Sequence, residues 1–518
     1  MRSKPELASS NINFIFGRLR VDLLSTLHPS AVQSFQLWQV FTSNVHPLTK
    51  VLHGPSVREE LLRSLAEPSP IDSPTEALII SIYLIAAVSL TDDECHNLLG
   101  ETRKKHLARY CHATEAALSR ANFLRSTDLK VLQAFTLYLL SLHHLCDQDI
   151  LWLLTGLATR MGQRMGLHRE SSLRDLPPFE AELRRRVWWQ IVILDGRAAQ
   201  LKGATLGPEN RLYGDASPPV GINDGDLVPP MSSLPRSSSY VPTEVVFCAV
   251  RIEIGATTPE NKIKLLRSID ELEGHLEERY LRHINADIPL NLLTTHLARS
   301  AVCQLRLSVY HPIRNPEEAA SGLSLEQLDL LLENSLEVAR YYIVARANGS
   351  LQRYAWHVSS SFPFESFVVL VGTLSQRPAS PLADAAWPGA GTSRAIRASG
   401  LKPSMGPPFI RNLLRRRPAL CRGSQSEQKA TTAMNCTGHT TPQGLQKISH
   451  LPEYDGCGLG ASQNRSPQGD SSTVDAAGDE ISSIIDDMDM DWSFWKKLLD
   501  GNAQAAEIHR KPTLSLPS

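Results

Sequence analysis

Between about residue 11 and residue 375, apolar side chains return every three or four positions, the spacing of one helix face. No segment alternates convincingly as a half-buried strand would. Ser73-Pro74-Thr75-Glu76 reads as a helix start. Ser73 offers a cap, Pro74 suits the first helical position, and Glu76 stands where a capping box wants a carboxylate. Leu78, Ile79, Ile82, Ile85 and Ala86 follow at helical spacing, which predicts a buried helix across Ala77 to Leu90. That run is broken by Ser81 and Ser89 and falls short of the roughly 20 residues a membrane span needs. Thr91-Asp92-Asp93-Glu94 repeats the start signal and predicts one more polar helix reaching toward Asn122. Asp128 puts a negative charge at the start of the next helix, whose face carries Leu129, Leu132, Phe135, Leu139 and Leu142. A helix from about Asp149 to Met165 would align Leu153, Leu157, Met161 and Met165.

Pro177-Pro178 breaks the chain. A long helix is predicted from about Phe179 to Leu201, with Leu183, Val187, Ile191 and Leu194 as its stripe, Trp188 beside it and Gly203 as its stop. Residues 208–239, rich in Gly, Pro, Asp and Ser, read as a long loop. Helical spacing resumes near Val245 and recurs through 263–281, 290–310, 325–347 and 356–374. The fold class these segments imply is all-α, a multi-helix domain packed from antiparallel neighbours. Its boundaries fall at about residues 25 and 375, after a tail of residues 1–24. Residues 376–473 have few periodic apolar positions and many Ser, Pro, Gly and Thr, the composition of a disordered linker. An acidic and aromatic stretch follows at 474–501, then a short tail at 502–518.

Lys plus Arg is 53 and Asp plus Glu is 54, so the net charge is -1. Phosphate binding needs a local excess of cations, and so any nucleic-acid surface must be a patch. Met1 to Ser10 lacks the apolar stretch of a cleaved signal, and no membrane partner is expected. The eight cysteines are Cys95, Cys111, Cys146, Cys248, Cys303, Cys421, Cys436 and Cys457, none within three positions of another. That spacing is neither a disulfide framework nor a zinc motif, and it suits an intracellular protein with cysteines as small apolar residues.

Arg184-Arg185-Arg186 beside Trp188-Trp189 combines phosphate-gripping cations with rings that stack on bases. Yet three successive arginines fan around a helix, and arginine stems pack well over tryptophan, which favours a packing role. Cys95-His96, His106 and Cys111-His112 fall on different faces of the helix predicted there and do not converge as zinc ligands must. Asn223-Asp224-Gly225-Asp226 lacks the spaced carboxylates of a calcium loop and reads as an Asx-stabilised turn. No nucleophile elbow, phosphate loop or zinc-protease motif occurs; catalytic, cofactor and metal residues are therefore expected to be none. Arg411, Arg415, Arg416 and Arg417 form a basic run, readable as a nuclear-import signal or as a solvated charge cluster. In the acidic stretch, Ile484, Ile485, Trp492, Trp495 and Leu499 are apolar groups among aspartates. They read as an activation segment that would meet a coactivator groove, or as a helix docking on the body.

Met161 to His168, Phe179 to Leu194 with Asp195, and Ile222 to Leu227 succeed one another as they do in the middle region of fungal binuclear zinc-cluster transcription factors. Leu27 to His53 resembles the segment that follows the zinc cluster in one large group of them, and Tyr310-His311-Pro312 and Trp356 to Phe364 resemble the later part. The resemblance spans roughly residues 25–375 and implies a helical regulatory domain in a nuclear regulator of gene expression, many of which govern secondary-metabolite clusters. It also implies that Arg184, Arg185, Arg186, Trp188, Trp189 and Asp195 form a hallmark helix of that domain rather than a DNA reader. The implied partners are coactivators or the general transcription machinery, and a homodimer or a heterodimer with related factors. The family pattern opens with six closely spaced cysteines on two zinc ions, and no cysteine here precedes Cys95. DNA would then be reached through a partner, or through a cluster encoded by a missing first exon; a non-DNA-binding interaction protein, or a small-molecule sensor, that modulates related factors is the alternative. Helical character fades after Arg377, and residues 388–449 read as a diverged insert or a gene-model artefact.

Overall fold

A computed structural model describes residues 27–66, 71–145, 148–201, 213–235, 243–256, 262–309 and 324–359, with Ser366, Val369, Leu370 and Thr373 beyond them. Among these residues every regular element is helical. Helix α1 (Ala31–Val40) opens on a capping box between Ser30 and Gln33. It runs through a π-helical turn, Phe41–Val45, into α2 (His46–Thr49). Pro47 supplies no amide to the carbonyl four residues back, and the backbone widens just ahead of it. Helix α3 is Gly54–Ala66.

Helix α4 (Ser73–Ser89) is the centre of the fold: every side chain from Thr75 to Ser89 is buried. A helix that is apolar on all sides must be covered on all sides. Here α1, α6 (Arg103–Arg120) and α7 (Leu129–Leu142) cover it. Its cap is Asp72, one residue earlier than the sequence suggested; the carboxylate accepts from the Thr75 amide. The polar helix expected from Thr91 to Asn122 is two helices. Thr91 and Glu94 make the capping box, but α5 (Asp92–Leu99) ends at Gly100, which takes a left-handed conformation at φ 78 and closes the helix. Asp128 caps α7 as expected, by accepting from the Lys130 amide.

Helix α8 (Gln148–Arg164) buries Leu151, Leu154, Ala158 and Met161. Of the stripe predicted through Leu153, Leu157, Met161 and Met165, Met161 is buried and Leu157 and Met165 are half-buried against the core, but Leu153 is 69% exposed. After the short α9 (Glu170–Arg174), helix α10 (Pro178–Leu201) buries Val187, Trp188, Ile191 and Leu194 against α7 and α8. Gly162 allows the closest approach, since a Cβ there would lie 2.9 Å from the Trp188 ring. Gly203 lies outside the described residues.

Helices α11 (Val246–Ala256), α12 (Lys262–Arg279) and α13 (Pro289–Val309) share a second core of Val246, Val250, Ile269, Leu276, Ala298 and Val302. Helix α14 (Leu325–Ala347) lies along α13, and a 3-10 turn leads to α15 (Ala355–Ser359). Trp356 on α15 donates its Nε1–H to the Asn44 carbonyl at 3.1 Å, joining α15 to the π-helical turn that follows α1. Of the helix predicted across 356–374, the described part is α15 and a few residues beyond it.

Candidate functional site

The arginine run lies in the second turn of α10, and each guanidinium leaves in a different direction. Arg184 pairs with Glu180 at 2.7 Å, one turn back. Arg185 reaches Glu170 of α9 at 2.5 Å. Arg186 is buried, donating to Glu182 at 3.1 Å, to Asp224 at 2.6 Å and to the Ile222 carbonyl at 2.9 Å. Trp188, 1% exposed, donates to the Tyr213 carbonyl, and Trp189 donates to the Ser217 carbonyl. Asp195 accepts from Thr155 of α8 at 2.7 Å and from the Tyr213 hydroxyl at 3.1 Å. Arg185, Arg186, Trp188, Trp189 and Asp195 thus hold α8, α9 and the loop of residues 213–227 onto α10, while Arg184 pairs within the helix. The arginines meet carboxylates and carbonyls, a tighter arrangement than the packing over tryptophan faces expected from sequence.

Asp224 is the hub. Asn223 to Asp226 do form a turn, a single 3-10 turn at Asp224–Asp226, but it carries the Asp224 carboxylate into the interior. One oxygen takes Arg186. The other meets His46 Nε2 at 2.7 Å, Lys50 Nζ at 3.3 Å and the Gly54 amide at 3.2 Å. His53 Nε2 lies 2.9 Å from the Asp224 carbonyl, and Lys50 also pairs with Glu244 at 2.8 Å, just ahead of α11. Lys50 holds this place with a left-handed backbone, φ 47, at the end of α2. That conformation costs a non-glycine residue about 1–2 kcal/mol, so the ionic contacts must outweigh it.

Two cations, Lys50 and Arg186, face Glu182, Asp224 and Glu244. Burial by itself would raise the Asp224 carboxyl, but the His46 hydrogen bond and the Lys50 and Arg186 charges hold it well below the usual carboxylate range. Burial lowers His46, helped by Lys50, so the imidazole is neutral and donates Nε2–H to Asp224. Burial raises Glu182, and the Arg186 charge and the Val220 amide oppose it. The arrangement is an ion-pair clamp uniting α2, α3, α10, the 222–227 loop and the start of α11. Its chemistry is cohesion, because every strong donor points at an acceptor of the same chain.

Sequence reasoning placed Arg186 correctly on a structural helix and missed its partners. Glu182 and Arg186 lie four apart beside an apolar stripe, and His46, Lys50 and His53 recur at helical spacing among apolar residues. Both patterns mark charges that face inward. Among the described residues no group of three or more His, Cys, Asp and Glu side chains is set to hold a metal ion. Cys95, Cys111, Cys248 and Cys303 form no disulfide and stand on four different helices, α5, α6, α11 and α13. With none of the eight cysteines closely spaced, this donor set does not fit a binuclear zinc cluster. Arg411, Arg415, Arg416, Arg417, Ile484, Ile485, Trp492, Trp495, Leu499 and Tyr310-His311-Pro312 lie outside the described residues.

The polar residues of this motif are spent on ties within a helical body. The model of the fungal specific transcription factor domain matches residues 38–204, the stretch that contains α4 to α10. Along 98% of its length the chain is 51% identical to the aurofusarin cluster transcription factor aurR2 of Gibberella zeae, covering 81% of that protein. It is 32% identical to the transcriptional regulator AacuB of Aspergillus aculeatus over 75% of this chain and 54% of AacuB. It is also 32% identical to the pyriculol/pyriculariol biosynthesis cluster transcription factor 1 of Pyricularia oryzae, over 70% of this chain and 51% of that protein. The chain therefore spans about half the length of the latter two relatives. It belongs to the fungal transcription factor family whose middle region is this helical domain.

Proposed function

We propose that the chain regulates transcription of a secondary-metabolite biosynthetic gene cluster from within the nucleus. The observation that carries this is the 51% identity to a cluster transcription factor across 98% of the chain. The motif of Arg184, Arg185, Arg186, Trp188, Trp189 and Asp195 is the brace of the regulatory domain, spanning about residues 25–375. DNA is contacted through a partner, which can be a second copy or a related factor, or through a zinc cluster that the residues here do not supply. The segment at 474–501 engages a coactivator, and Arg411 to Arg417 serve import. These two assignments rest on composition alone. The relatives' names speak of transcription and not of an enzyme.

Deleting the gene and sequencing the transcriptome tests the reading. The expected result is loss of transcripts from one contiguous set of biosynthetic genes. If every such set keeps its wild-type level under conditions where the gene is normally expressed, the proposal fails.

A further inference from the structure

Helix α8 turns Leu151, Leu154, Ala158 and Met161 inward, and its opposite face is open. Asp149, Leu153, Gly156 and Arg160 run along the middle of that face, each about one turn from the next. Trp152 flanks the line on one side and Leu157 on the other. Asp149, Trp152, Leu153 and Arg160 are exposed, and Gly156 and Leu157 are half-buried. Single exposed apolar side chains are ordinary on a protein surface. Trp152 and Leu153 differ, because among the described residues they are the exposed large apolar pair that is adjacent in the chain. A Cβ on Gly156 would meet nothing within 4 Å, so the glycine leaves a shallow hole one turn from Leu153.

The order of these residues is self-complementary. Lay the face antiparallel on a second copy, with the two-fold axis at the level midway between Leu154 and Thr155. Asp149 then faces the second copy's Arg160, and Leu153 faces the second copy's Gly156. Both relations hold again in reverse, as a two-fold contact requires. The two Trp152 rings fall on the same flank, about 7.5 Å apart along the helices and within reach of each other. We infer that the outer face of α8 is an antiparallel contact between two copies of this chain. A uniformly acidic or uniformly basic occupant would gain at one end of the line and lose at the other. A surface with the same charges in reverse order gains at both. An exposed carboxylate accepts more than one donor, so Asp149 can take the second copy's Arg160 beside any contact within its own chain. The face is about 25 Å long and roughly 10 Å wide, well short of the roughly 800 Å² per partner of a standard interface, so the dimer is a weak one. The inference deepens the regulatory reading, in which a second copy helps to reach DNA, and rests on that reading for its purpose. Self-association is measured on the purified chain, so its failure is distinct from a failure of the gene-deletion result.

The test is sedimentation equilibrium of the full chain from about 3 to about 300 µM, with a dimer expected to form at about 10–100 µM. Asp149→Arg and Arg160→Asp each set like charges against each other twice per dimer, and each should weaken association by about tenfold. An equimolar mixture of the two variants restores both charge pairs across an antiparallel contact and should recover the wild-type dimer. Leu153→Asp should also leave a monomer, and because its side chain is 69% exposed the thermal melt should match the wild type. A wild-type chain that stays monomeric overturns the proposal, whether the face is bare or covered by residues 474–501 of the same chain. So does a dimer unaffected by Leu153→Asp in a variant with a wild-type melt. A mixture of the two charge variants that fails to recover the dimer overturns the antiparallel register.

Discussion

Trp188 sits at the junction of α8 and α10 with its ring against Gly162 and its Nε1–H on the Tyr213 carbonyl. Truncation to alanine would leave a cavity and an unanswered carbonyl. Trp188→Ala should destabilise the domain by about 3–5 kcal/mol in a denaturant titration. Wild-type stability in this variant would refute the packing role. At Asp224 the expectation concerns pH. Its carboxyl is depressed in the folded state, so its contribution is complete above the unfolded value of about 3.9 and is lost as pH falls below it. The clamp should therefore steepen acid unfolding. Asp224→Asn should lower stability near neutrality, because it leaves Lys50 and Arg186 short of a counter-charge, and should flatten the acid limb. An acid limb identical to wild type would mean that other carboxylates control it.

At the scale of elements, the contact between α8 and α10 depends on a missing side chain. A Cβ on Gly162 would meet the Trp188 ring at 2.9 Å, and a fully buried indole held by a hydrogen bond has little room to retreat. Gly162→Ala should cost about 1–3 kcal/mol through overpacking, although alanine is the better helix former by about 1 kcal/mol. A rise in melting temperature would show that the junction can open at little cost. The same helix pair explains why α8 resists a simple reading: Trp152 and Leu153 face outward while Thr155 and Thr159 face inward. Thr155 turns inward because Asp195 awaits its hydroxyl, and Thr159 because it returns a hydrogen bond to the Thr155 carbonyl. Local hydrophobicity and burial thus part company where a polar side chain has a designated partner.

For the molecule as a whole, the proposed division of labour sets a braced helical body beside a C-terminal stretch from Val474 to Asp500 with a different composition. Its sequence sets aspartates around Ile484, Ile485, Met488, Trp492 and Trp495. Tethered to an unrelated DNA-binding domain, this stretch should activate a reporter. Activity should vanish when Trp492 and Trp495 are both changed to alanine, since aromatic burial in a partner groove would supply most of the energy. Lys496→Ala with Lys497→Ala should leave it unchanged or raised, because acidic residues assist encounter with basic partners. A silent fragment, or one indifferent to the two tryptophans, would leave only a docking role. No helix among the described residues is long and apolar enough to cross a membrane.

The helical class, the burial of α4 and the extent of α7 and α10 were legible in the chain itself, because periodicity, capping residues and prolines act over a few residues. The succession of motif blocks likewise placed the chain in its family before any helix was positioned. Two boundaries shifted where neighbouring signals competed: Asp72 took the cap from Ser73, and Gly100 cut one expected helix into two. What the local pattern could not contain was the destination of a charge. Arg186 and Asp224 are separated by 38 residues, and Lys50 and Asp224 by 174. A lone aspartate in a turn looks the same in sequence whether it faces water or two buried cations. Only the packing of distant helices brings such charges together, since side-chain electrostatics acts through space and the hydrophobic pattern records no more than which face is turned inward.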